Sequence, residues 1–301
     1  MSHGWMGKIL EIDLTSKEVS TRGTSTYMPD YIGGRALASR IAWDEIPADI
    51  EAFDKENRII ISTGPLTGTL APTSGRCIMS SLSPRTYPKV WYTHSTIGGW
   101  FGAELKYAGY DALIIKGKAE SPVFIEIHDE DVQIADADNL WGMDARRTQL
   151  ELKAKLGAKT QLLAIGPAGE NLVRFATVQH AEENAAGHSG FGAVWGSKKL
   201  KAIAVRGTKG VSVADPAALL SEIVNAGTAK KTPPIAVTFE GGTMWYREEE
   251  GETGVAKDKI AEQDPPDDGY GPVCTQACTF DCILGGEFPA FASGTIGGRA
   301  F

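Results

Sequence analysis

A chain of 301 residues, 42% apolar and 23% charged, holds enough material for one large domain, or one domain and part of another. Its net charge of −8 argues against nucleic acid as a general partner. No window approaches the roughly 18 consecutive apolar residues of a membrane-crossing helix, and Met1 to Lys8 lack the apolar core of a signal peptide, so a cytoplasmic location is expected.

Residues 8–14 alternate, with Leu10, Ile12 and Leu14 on one face, and predict a half-buried strand; Val19 opens a return strand after Thr15-Ser16-Lys17. Tyr31 to Ile46 reads as a helix, with Ile32, Ala36, Ile41 and Trp43 among its apolar positions and Pro47 just past its end. Arg58 to Thr63 is a short buried strand that runs into Gly64-Pro65 and a loop of small residues ending at Arg76. Cys77 to Leu82 is strand again, and Gly98-Gly99 turns into a helix reaching Ala108. Asp111 to Lys116 and Val123 to His128 are strands separated by Gly117 and Pro122, with Val132 to Ile134 a candidate partner. Asp144 caps a helix over 145–156 that Gly157 ends. Gln161 to Ile165 is a buried strand followed by Gly166-Pro167, residues 171–179 alternate in part, and Ala202 to Val205 is strand. Asp215-Pro216 is a cap followed by proline at the first helical position, opening a helix to about Ala226. Beyond Thr232-Pro233-Pro234 apolar density falls and charge rises. These features divide the chain into a strand-rich domain over 1–207 and an incomplete, mainly helical or irregular segment over 208–301, whose end reads as a truncation.

The stretches Arg58-to-Pro65 and Thr160-to-Pro167 are both strand followed by Gly-Pro, 102 residues apart. Each is followed by a small-residue loop and a glycine-dense turn, Ile97-Gly98-Gly99 in one case and Ala185 to Gly192 in the other. Such an echo arises either by chance or from two similar halves, each presenting backbone N–H groups to one of two similar ligands. The glycine excess, 35 residues in all, is clustered in short motifs, which marks tight turning or close backbone approach. Gly98-Gly99 before a helix makes an anion site of the first unpaired N–H groups. The Ala185–Gly192 run has the same character, against the plainer reading of a loop packed on a sheet; it matches no Walker or dinucleotide fingerprint. Arg76 could fork onto a phosphate. The five histidines lack metal-ligand spacing and read as surface or internally satisfied groups.

Three of the four cysteines, Cys274, Cys278 and Cys282, stand at spacing C-x3-C-x3-C. Thiolates so clustered in a cysteine-poor chain bind metal, and an iron–sulfur cluster fits better than zinc, which favours paired knuckles. A [4Fe–4S] cubane needs a fourth ligand: Cys77, a non-cysteine group, or a residue on chain absent here, the last being favoured.

Four long motifs in register, Gly64 to Arg76, Gly99 to Asp111, Ile165 to Asn171 and Gly190 to Val205, resemble the tungsten-containing aldehyde:ferredoxin oxidoreductases over about residues 4–207. The resemblance implies an α+β fold: an N-terminal domain of two twisted β-sheets with pseudo-two-fold symmetry and flanking helices, followed here by the incomplete helical segment. It implies a tungsten (or molybdenum) bis-pterin, with one pterin on Arg76, Thr96, Ile97, Gly98 and Gly99 and the other on Asn184, Ala185 and Gly187. The backbone carbonyls of Thr96 and Ala185 would hold a magnesium ion between the pterin phosphates, and the cysteine trio would ligate the [4Fe–4S] cluster. Departures are specific. Thr96-Ile97 replaces Asn-Ser, Asn184 stands where the family has arginine, and the cysteine spacing is one residue longer than C-x2-C-x3-C. The implied activity is anaerobic oxidation of a small aldehyde to a carboxylic acid, with electrons passed to ferredoxin or another iron–sulfur carrier, and a homodimer is one option for its assembly. Alternatives are another reaction of the same family, such as aryl-CoA reduction, or a truncated non-catalytic cofactor-binding fragment.

Overall fold

The computed structural model describes residues 3–228, apart from residues 29, 72–73, 87 and 182–183. The expected helical character beyond residue 228 and the cysteine trio therefore lie outside the described residues.

The first half runs β1 (Lys8–Asp13), β2 (Glu18–Gly23), α1 (Gly34–Glu45), β3 (Ile59–Ser62), β4 (Cys77–Ser83), β5 (Trp91–Ile97), α2 (Phe101–Ala108) and β6 (Ala112–Lys116). The second runs β7 (Val123–His128), β8 (Asp131–Asp136), α3 (Ala145–Leu156), β9 (Gln161–Ala164), α4 (Pro167–Glu170), β10 (Val178–His180), β11 (Asn184–Ala186), α5 (Phe191–Ser197) and β12 (Leu200–Arg206), and α6 (Pro216–Thr228) follows. Each half builds one mixed sheet. The order is β2-β1-β6-β3-β4-β5 in one and β8-β7-β12-β9-β10-β11 in the other. Only β1/β6 and β7/β12 are parallel, and they occupy the same place in the two orders. Ile61 of β3 pairs with Leu113, and Leu163 of β9, 102 residues on, pairs with Ile203. The sequence echo is therefore a repeated supersecondary unit and not a chance recurrence.

Both sheets are covered on both faces. A central layer takes Leu10, Ile12, Ile59, Ile61 and Met79 from the first sheet and Ile125, Leu163, Val178, Ile203 and Val205 from the second, with Phe101 of α2 and Phe191 and Trp195 of α5 among them. Outside, α1 covers Ile9, Ile60, Ala112 and Ile114, and α3 covers Phe124, Leu162, Ala202 and Ala204. Each such aliphatic side chain contributes about 1.5–3 kcal/mol when fully buried. This arrangement corrects the half-buried reading of β1: Ile9 and Leu10 face opposite layers and both are 0% exposed. Gly117 to Pro122 is likewise a crossing from one sheet to the other.

Helix α1 begins at Gly34, three residues later than the apolar pattern suggested. Gly33, at φ +90°, turns the chain so closely over β3 that a Cβ there would lie 2.6 Å from the Thr63 carbonyl oxygen. The helix buries Leu37, Ala38, Ile41 and Ala42, whereas Ile32 and Trp43 are 72% and 83% exposed. Caps follow the sequence: Asp144 Oδ1 accepts from Arg147 N at 2.7 Å, and Asp215 Oδ1 from Ala218 N at 2.9 Å.

A buried charge stands at the start of the central strand in each half. Asp111, just before β6, accepts from Met6 N, Gly7 N, Thr24 Oγ1 and Lys106 Nζ at 2.8–2.9 Å, and both ion-pair side chains are fully buried. At the equivalent place in β12, Lys201 pairs with Glu170 and also donates to Met143 O at 2.6 Å. Removing one partner of a buried pair strands the other charge, at about 3–5 kcal/mol. Asp111→Ala is therefore expected to lower the unfolding free energy by roughly that amount in urea titration; a loss below about 1 kcal/mol, the value of an exposed pair, would contradict this role.

Candidate functional site

The repeat places the residues named from sequence at corresponding positions. In the β4/β5 hairpin Thr96 pairs with Ile78, and in the β10/β11 hairpin Ala185 pairs with Gln179. β5 and β11 end their respective sheet orders, and they lie against each other. Ser189 Oγ donates to His94 O at 3.2 Å, and Ser83 Oγ to Ser189 O at 2.7 Å, across the same seam. Terminal strands carry outward-facing main-chain N–H and C=O groups. Thr96 and Ala185 are thus equivalent residues on two adjoining edges, where carbonyl oxygens suit a hard cation such as magnesium.

β5 was not recognised in the sequence. Its residues, Trp-Tyr-Thr-His-Ser-Thr-Ile, are mostly polar, and only Ile97 is fully buried. The Ile97 side chain lies in the central core, so only its main chain faces outward chemistry. Arg76, directly before β4, is exposed, and its Nη1 lies 3.4 Å from Thr96 Oγ1. Asn184 opposes His180 in the second hairpin, and a Cβ added to Gly187 would meet no atom within 4 Å.

The Gly98-Gly99 turn is built against His180, one of the histidines read from sequence as surface or internally satisfied groups. His180 is buried at the end of β10; its Nδ1 bonds the Leu162 carbonyl at 2.7 Å, and its Nε2 accepts from Trp100 N at 3.0 Å. Burial, with the charge of Lys153 adding, pushes its pKa down to about 4, so the ring is neutral with its proton on Nδ1. Gly99, at φ +84°, lies against this ring, and an added Cβ would overlap it. One N–H at the start of α2 is thereby occupied by the imidazole. Gly190 and Gly192 have the plainer role: their missing Cβ atoms admit the carbonyls of Arg174 and Thr177.

Cys77 is fully buried beside the Ile97 carbonyl, and burial pushes its thiol up to about 12. That is the reverse of the thiolate a cluster ligand requires. Among the described residues no three His, Cys, Asp or Glu side chains gather to hold a metal ion. The site's donors are instead an arginine, main-chain groups and glycine turns, which suit the phosphates and ring edges of a two-part ligand whose metal brings its own sulfur.

A domain with a duplicated mixed sheet and this seam is that of a known class of oxidoreductase. The family profile described as aldehyde ferredoxin oxidoreductase, N-terminal domain, matches residues 9–207, and the chain belongs to this family. It is 43% identical over 235 residues to the tungsten-containing aldehyde ferredoxin oxidoreductase of Pyrococcus abyssi, across 77% of this chain and 38% of that protein. It is 39% identical over 223 residues to the aliphatic sulfonate oxidoreductase, WOR-like subunit, of Pyrococcus furiosus, across 68% of this chain and 35% of that one. Among solved structures, the active site complex BamBC of benzoyl coenzyme A reductase with 1,5-dienoyl-CoA aligns with a TM-score of 0.74 at 36% identity, over 80% of this chain and 37% of its own. The chain thus spans about 38% of the length of such relatives.

Gly99→Ala is expected to cost about 1–3 kcal/mol by overpacking against the imidazole, and less in a His180→Ala background; equal costs in both backgrounds would show that the ring is not the obstacle. Because His180 titrates near 4 when folded against an ordinary 6.5, the unfolded chain binds the extra proton between those values. Stability present above pH 6.5 is therefore expected to fall as pH drops toward 4. The slope should reach about 1.4 kcal/mol per pH unit, and His180→Asn should flatten it in urea titrations across that range.

Proposed function

We propose that this chain is the cofactor-binding part of a tungsten (or molybdenum) bis-pterin oxidoreductase that oxidises aldehydes to carboxylic acids. The observation carrying the proposal is the seam, where two equivalent glycine-turn hairpins adjoin in a chain 43% identical to a tungsten-containing aldehyde ferredoxin oxidoreductase. In this reading Arg76 and the Gly98-Gly99 turn hold one pterin, and Asn184, Ala185 and Gly187 hold the other. The carbonyls of Thr96 and Ala185 hold the magnesium ion between the phosphates. Cys274, Cys278 and Cys282 ligate a [4Fe–4S] cluster, and a division near residue 207 separates the two binding tasks.

When bound, the metal–pterin group supplies two-electron chemistry: an aldehyde and water become a carboxylic acid, two protons and two electrons, which leave singly through the cluster to a ferredoxin-like carrier. The residues of this chain do the holding. Arg76 offers a forked, always-charged donor, and His180 fixes the turn that presents main-chain groups. Asn184 offers an uncharged amide, so the second phosphate is held with less charge than the first. The similarity to the benzoyl coenzyme A reductase complex supports a second reading, in which the same cofactor reduces an aryl-CoA thioester.

Full-length protein produced anaerobically is expected to contain about one tungsten or molybdenum and about four irons per chain. Zinc without iron would remove the cluster. Arg76→Ala is expected to lower tungsten content by severalfold, through loss of a charge-assisted contact; unchanged metal content would exclude that role.

A further inference from the structure

Among the described residues, three lysines are buried almost entirely: Lys106, Lys198 and Lys201. Lys106 pairs with Asp111 and Lys201 with Glu170. Lys198 has no carboxylate partner among the described residues. It stands between α5 and β12, and its Nζ donates to two main-chain carbonyls, Lys55 O and Gly117 O, each at 3.0 Å. A charged ammonium has three N–H donors and no acceptor. With two carbonyls to serve, its third donor is stranded away from water, which is unfavourable. A neutral amine has two N–H groups, one for each carbonyl.

The surrounding charges do not replace the missing partner. Arg58, directly before β3, repels a charged amine and is itself paired with Glu45 and Glu56. Glu56 and Asp54 in the loop before β3, and Asp13 at the end of β1, attract it from beyond ion-pair distance. Burial first, and Arg58 second, push the amine's pKa down to about 7. The bonds of Lys198 converge on the crossing that carries the chain from β6 to β7. Gly117 opens that crossing, and its N donates to the same Lys55 O at 2.9 Å. Ala119 N, two residues on, donates to Lys198 O at 3.1 Å. One residue thus holds the crossing with its main chain and its side chain together. It does so where β3 starts and β6 finishes, at the opposite end of the first sheet from Thr96 and the Gly98-Gly99 turn.

We propose that Lys198 is a proton-operated clasp: as a neutral amine it fastens the crossing between the two sheets to the end of α5, and taking up a proton loosens that fastening. The clasp is independent of the proposed function, since neither carbonyl belongs to the seam. Its sign follows from linkage. Between pH 7 and the ordinary 10.5 the unfolded chain binds the extra proton, so stability rises with pH across that range and is lost as pH falls toward 7.

The direct test is a pH titration of the Lys198 Nζ resonance in the full chain carrying isotope-labelled lysine, assigned by its absence from Lys198→Met. The midpoint is expected near 7, and one nearer 10.5 than 7 overturns the clasp. Urea titrations supply a second readout. From pH 7 upward the folding equilibrium constant of the unsubstituted chain should gain up to about tenfold per pH unit over that of Lys198→Met; parallel profiles overturn the clasp. Hydrogen exchange locates the effect. Protection of the Gly117 and Ala119 N–H groups should fall severalfold in the unsubstituted chain between about pH 8 and about pH 6, after correction for intrinsic exchange, and stay low at both in Lys198→Met. Protection that does not change in the unsubstituted chain means that the crossing is not what the proton releases, and overturns the clasp. Should Lys198→Met fail to fold, Lys198→Gln supplies the resonance assignment, and the titration and the exchange of the unsubstituted chain still decide.

Discussion

The imidazole of His180 sets the geometry at the seam between the halves. It belongs to the second sheet, bonds the main chain of that sheet through Nδ1, and reaches with Nε2 into the turn that opens α2 in the first half. A buried neutral ring with both nitrogens satisfied is a stiff connection, because rotating it would leave a main-chain N–H and a carbonyl unpaired inside the protein. The Trp100 N–H that opens α2 is held by that side chain in its present tautomer, and Gly99 packs against it.

Identical topology does not make the halves chemically equal. Asp111 and Lys201 occupy the same position with opposite charge, and each has recruited its own buried partner. Around the seam, the first half contributes Arg76, while the second contributes Asn184 and the open space at Gly187.

Much of the framework was legible in the sequence because it depends on local signals. Asp144 and Asp215 cap helices through bonds three residues away, and Ile59 to Ile61 is too apolar to be anything but a buried strand. The 102-residue echo pointed to the duplication because β3 and β9 are central strands, whose composition burial restricts most. What escaped depended on distant partners. β5 is polar because it is an edge strand at a site, so it lacks the apolar run of an inner strand. The buried face of α1 was misjudged because Ile32 and Trp43 are apolar yet exposed. The packing of Gly99 against a ring 81 positions along the chain was not visible in the sequence.

The central apolar layer draws its side chains from both sheets, with α2 and α5 enclosed in it. Neither half could exist alone in water without baring that layer. Each half therefore serves as the inner wall of the other, and a cut anywhere between β6 and β7 would leave two apolar faces in water.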